Sequence, residues 1–64
     1  MTLNEIKTAL ANGKTVLWGN EGYKVLECEG SYYIFFARTK DMIGLTQFDG
    51  ITLNGKEEDF FIVE

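Results

Sequence analysis

The 64-residue sequence has no proline, no histidine and one cysteine, Cys28, and it carries one arginine, Arg38, beside five lysines. Each of these gaps excludes something. A lone cysteine cannot close a disulfide, the usual staple of a chain this short. Without histidine the common zinc and iron ligand sets are missing, and no unperturbed side chain serves as a base near neutral pH. Without proline, no segment is barred from pairing in a sheet. No apolar run approaches the length of a membrane span, nothing at the start reads as a signal peptide, and there is no Walker A or GxGxxG sequence. Ten acids against six bases give a net charge of −4. That balance argues against a binder of nucleic-acid backbones, which needs a basic footprint.

The composition, 45% hydrophobic and 25% charged, is that of a globular protein, and residues 1–64 are expected to form a single domain near the lower size limit for independent folding. One unpaired thiol points to a reducing cytoplasm.

The segment "MTLNEIKTALANG" predicts a helix with both ends marked. Thr2 and Glu5 have capping-box spacing, Leu3, Ile6 and Leu10 make one apolar stripe, and Asn12-Gly13 supplies a stop. After Gly13 the period becomes two. "KTVLW" and "YKVLEC" flank a turn at Gly19–Gly22, a hairpin that would set Trp18 opposite Tyr23, Val16 opposite Val25 and Lys14 opposite Glu27. Glu29-Gly30 or Gly30-Ser31 then turns the chain into a long strand at Tyr32–Thr39. Lys40-Asp41 turns it back into "MIGLTQF", and Asp49-Gly50 predicts a hairpin pairing Phe48 with Ile51 and Thr46 with Leu53. Asn54-Gly55 turns once more before the acidic "EEDFFIVE", which reads as a solubilising run with a last strand at Phe60–Val63.

The expected fold is therefore α+β: one N-terminal helix packed on a curved antiparallel sheet, or small barrel, of about five strands in meander order. Alternation sends Val16, Trp18, Tyr23, Val25, Tyr32, Ile34, Phe36, Ile43 and Leu45 to one face. It sends Leu17, Leu26, Cys28, Tyr33, Phe35, Met42, Phe48, Ile51 and Leu53 to the other, with Thr15, Lys24, Ala37 and Thr46 among them. One short helix covers one face, assigned to the first. The second face must then close into a barrel or meet a partner, whether another copy of the chain or a different protein.

Nothing in the sequence assembles a catalytic constellation, so no enzyme, no cofactor and no metal site is expected. Cys28 has no histidine to activate it and reads as a small core residue. Glu27 with Glu29, and Glu57, Glu58 and Asp59, lie in no recognisable pocket. "DGITLNGKEED" lacks the acid spacing of a calcium loop. The order of a helix and five short strands is similar to an Sm-like RNA-binding domain, but without its basic loop. "NEIKTALANGKTVLW" and "IGLT…DG.TLNGKEEDFFI" resemble small accessory proteins encoded by bacteriophages. That resemblance implies a protein in the cytoplasm of a bacterial host that blocks a host defence protein by binding it. Lys24, Tyr33, Phe35 and Met42 are the candidate contact residues for such a protein or for a homo-oligomer. An oligomeric sponge for a nucleotide-type ligand is an alternative, with Trp18, Tyr23 and Tyr32 to stack on a base and Arg38 to meet phosphate. An acidic mimic of nucleic acid, which would block a nuclease, and a virion subunit are others. No membrane role is expected.

Overall fold

A computed structural model describes residues 1–63; Glu64, the last acid of the terminal run, lies outside the described residues. Helix α1 (Leu3–Ala11) is followed by β1 (Thr15–Trp18), β2 (Asn20–Cys28), β3 (Ser31–Phe36) and β4 (Asp41–Gly44), then a 3-10 turn at Glu57–Asp59 and β5 (Phe60–Val63). The fold is α+β.

The helix begins and ends where its sequence marks it. The Thr2 backbone N–H donates to Glu5 Oε1 at 2.8 Å, and the Glu5 N–H donates to Thr2 Oγ1 at 3.2 Å. Two amides that a helix start would leave bare are thus satisfied reciprocally. At the other end Gly13 takes φ +75°, the left-handed conformation that closes helices.

The five strands form one antiparallel, open sheet in the order β4-β3-β2-β1-β5. The first four strands make a meander; the fifth does not continue it but crosses back to pair with β1, so no barrel closes. Leu17 stands opposite Lys24, the expected register, but the strand resumes at Asn20 opposite Trp18 across a bulge, earlier than a turn ending at Gly22 would allow. The β2–β3 hairpin turns on Glu29 (φ 52°) and Gly30 (φ 84°), both left-handed as a two-residue type I′ turn requires.

β3 is shorter than the sequence suggests. It ends at Phe36, and residues Ala37–Lys40 form the next turn, closed by the Lys40 N–H on the Phe36 carbonyl at 2.8 Å. The Asp49-Gly50 register holds, since Thr46 bridges Leu53 and the Gln47 N–H donates to the Thr52 carbonyl at 2.8 Å. Phe48 and Ile51 pair with nothing and project from the loop, 113% and 75% exposed.

The core lies on one side of the sheet. Ile6 and Ala9 of α1 pack on Val16, Val25 and Ile34, with Leu45 and Phe60 completing the cluster. The connection from β4 to β5 crosses on this same side: Leu45 is in the core, Leu53 packs against it rather than on the opposite face, and Gly55 lies against the Trp18 indole. One nine-residue helix suffices because this connection covers the rest. Ile43, at the β4 edge of that face, stays 39% exposed.

Trp18 constrains Gly55 tightly. A Cβ there would stand 2.8 Å from Cε2 and closer still to Nε1, the buried indole nitrogen that has no hydrogen-bond partner. Gly55→Ala is therefore expected to displace the ring and cost about 1–3 kcal/mol. Urea unfolding followed by the emission of this sole tryptophan checks it. Face assignment is tested separately by neighbouring residues of β3. Ile34→Ala, in the core, is expected to cost about 2–5 kcal/mol, and Phe35→Ala, on the open face, about 1 kcal/mol; equal losses in urea midpoints would refute the assignment.

Candidate binding face

Directly opposed residues of an antiparallel sheet share a face, so the registers trace rows across it. One row runs the full width on the side away from the helix: Met42 on β4, Phe35 on β3, Lys24 on β2, Leu17 on β1 and Phe61 on β5. At the usual strand spacing it is about 19 Å long. Beside it lie Leu26 and Tyr33 opposite one another, and Thr15 opposite Val63.

Leu17 is buried among its neighbours, Leu26, Tyr33 and Phe35 are half-buried, and Met42, Phe61 and Val63 are 49%, 39% and 45% exposed. Helix and crossing connection both pack on the other side. Lys24 is exposed at the middle of the row, a positive charge in a chain of net charge −4.

All four expected contact residues, Lys24, Tyr33, Phe35 and Met42, thus stand together on the open face. Leu17 and Phe61 extend their row. Phe61 was invisible to a local reading because only the long-range return of β5 brings it beside Leu17. Cys28 is a correction: it is exposed at the end of β2, next to the Glu29-Gly30 turn, where little packs over it.

Of the four residues expected for a stacked ligand, Trp18, Tyr23 and Arg38 lie near one another and Tyr32 lies apart. Trp18 and Tyr23 meet edge to face with centroids 5.5 Å apart, and Tyr23 meets Phe36 at 4.9 Å. This aromatic group packs on the core. Arg38 joins Tyr23, Asn20 and Gly22 around a hollow of about 210 Å³. Tyr32 is on β3 four residues from Phe36, roughly 13 Å away along the strand, with the Lys7 ammonium 5.3 Å from its ring centroid.

The Phe48 loop offers a second apolar projection. Asp49 holds it: the Ile51 and Thr52 N–H groups each donate to Oδ1 at 2.9 Å, and the Thr52 hydroxyl donates to Oδ2 at 2.6 Å. The carboxylate that a calcium loop would need is engaged by its own backbone, and among the described residues no three His, Cys, Asp or Glu side chains cluster as metal ligands. Among them, too, no helix is long and apolar enough to cross a membrane. No family model, curated protein or solved structure matches this chain.

The Thr52 hydroxyl first, then the Thr52 and Ile51 amides, holds the Asp49 carboxyl below the usual aspartate range. A carboxyl lowered in this way supports the loop fully above the unfolded-chain value, about 3.9, and withdraws that support as pH falls below it. The Ile51 and Thr52 amides are therefore expected to exchange faster with deuterium at pH 3 than at pH 6, after correction for intrinsic rates. Asp49→Ala should show the fast exchange at both.

Proposed function

We propose that this chain is a small non-enzymatic binding protein that acts by covering a partner protein's surface with its open sheet face. The row Met42–Phe35–Lys24–Leu17–Phe61 is the observation that carries the proposal. A contiguous apolar face with one central charge is what protein contact surfaces use: aromatic anchors supply the energy and the charge supplies the register.

Charge selects the partner. Stacking two copies face to face about a central axis would bring Lys24 against Lys24, whereas a partner with an apolar patch and a carboxylate at its centre would pair the ammonium as it is desolvated. In the setting implied by the phage resemblance, that partner is a host defence protein and binding inhibits it. Tyr32 stands apart from Trp18, Tyr23 and Arg38, and the Trp18–Tyr23 pair packs on the core, which favours this reading over a nucleotide sponge built on one copy.

A photoreactive phenylalanine analogue at position 35, in chain added to bacterial lysate, tests the proposal. Adducts are expected at position 35 and not at the exposed helix position 11, on partner peptides that contain Asp or Glu. Lys24→Glu should weaken capture at least tenfold, in line with roughly 2–5 kcal/mol for one member of a desolvated pair, without changing the circular dichroism. Capture indifferent to Lys24→Glu, or identical from position 11, overturns the proposal.

A further inference from the structure

The open sheet has two edges, and the chain treats them differently. Just past β4 the Leu45 N–H donates to the Tyr32 carbonyl at 3.0 Å. Residues of an antiparallel pair alternate between facing their partner strand and facing away, so the backbone groups of Gly44, and of Met42 two residues before it, point outward. The Gly44 carbonyl is capped there by Asn54 Nδ2 at 2.9 Å, and the strand opens on a charged residue, Asp41. A side-chain cap and a charge are ordinary ways of blunting an edge.

β5 has neither. Its four pairs with β1 run without a slip, and its residues, Phe60, Phe61, Ile62 and Val63, are all apolar. The Gly19 N–H donates to the Asp59 carbonyl at 2.8 Å, which makes Trp18–Phe60 a wide, non-hydrogen-bonded pair and Leu17–Phe61 a narrow one. By the same alternation Val16–Ile62 is wide. The Ile62 N–H and C=O therefore point away from β1, into the open edge. Phe60 also faces outward, but its N–H is already given to the Glu57 carbonyl.

We infer that β5 is a self-pairing edge, on which a second copy of this chain adds antiparallel with Ile62 opposite Ile62. A two-fold axis there lets each Ile62 N–H donate to the other copy's Ile62 carbonyl, so one residue supplies both halves of an isologous contact. The register two-fold about Phe61 instead would aim the Ile62 carbonyl at a Phe60 N–H that is already used. In the Ile62 register Phe61 of each copy stands opposite Val63 of the other, on the open face. The second copy's Ile62 stands beside the groove of about 360 Å³ that Ile62 shares with Met1, Thr8, Ala9 and Lys14.

Each copy carries a net charge of −4, so like charge opposes the contact and salt relieves it. β5 bears no charge, and the two-fold sends the two Glu57–Asp59 turns to opposite ends of the seam. The two Asp59 positions lie six residues apart, roughly 20 Å, more than twice the Debye length of about 8 Å at physiological salt. The seam is one strand wide and falls short of the roughly 1,200 Å² of a permanent complex, so the dimer is reversible and strengthens with salt. This inference uses the edge of the sheet, not its open face, and stands or falls apart from the proposed partner contact.

Sedimentation equilibrium of the full chain from micromolar to millimolar concentration, with amide exchange at Ile62, tests it. A monomer–dimer equilibrium is expected, with the Ile62 amide slowing as dimer forms. Ile62→Pro removes no bond to β1 and should weaken the dimer about tenfold to a hundredfold, the worth of two hydrogen bonds. Ile62→Lys should weaken it also, should the proline variant fail to fold, while Phe35→Glu should leave it intact. A chain that stays monomeric throughout, an Ile62 amide that exchanges freely in the dimer, or a dimer abolished by Phe35→Glu but not by the folded Ile62 variants overturns the inference. So does a monomer whose Ile62 amide is protected only by an added extended peptide.

Discussion

The packing of Ile6 and Ala9 onto Val16, Val25 and Ile34 is the contact on which the rest depends. A sheet has two faces, and a chain this short has material for one covering layer. Once the helix is committed to one side, alternation along every strand decides what the other side shows. That helix is held at both ends by local means, the Thr2–Glu5 exchange and Gly13, so its apolar stripe meets the sheet at full length.

Covering one face well has a cost at the other. Leu17, between Lys24 and Phe61 in the row, is buried, while Met42, Phe61 and Val63 remain open to water. The crossing connection sharpens the contrast, because Leu45, Leu53 and Gly55 add cover to the side that already has the helix. Lys24 sits where an apolar residue would make the face uniform. Its exposed ammonium gives the bare face a polarity that a partner can read.

Short-range features were legible in the sequence. Thr2, Glu5 and Gly13 mark the helix through contacts within one turn. Leu17 opposite Lys24 and Thr46 opposite Leu53 follow from glycine turns and period two, and the composition of the open face follows from that period. Features set by distant neighbours were not legible. The run from Ser31 is apolar as far as Phe36, and nothing in Ala37, Arg38 and Thr39 signals that the strand stops. Phe48 and Ile51 alternate like strand residues but find no surface to pack on. Cys28 falls on the apolar side of the alternation between Glu27 and Glu29, yet the hairpin turn next to it leaves it exposed. The return of β5 to β1 is the largest such feature, and both the full-width row and the unguarded edge follow from it.

That return also shapes the order in which the molecule can form. The hairpins β1–β2, β2–β3 and β3–β4 each join neighbours in the chain, but Trp18 meets Phe60, 42 residues further along. Such a closure carries a larger entropic barrier than any hairpin and slows folding accordingly. Until it happens β1 is itself a bare margin, and the core lacks Phe60. Docking of β5 therefore completes the sheet and the core together.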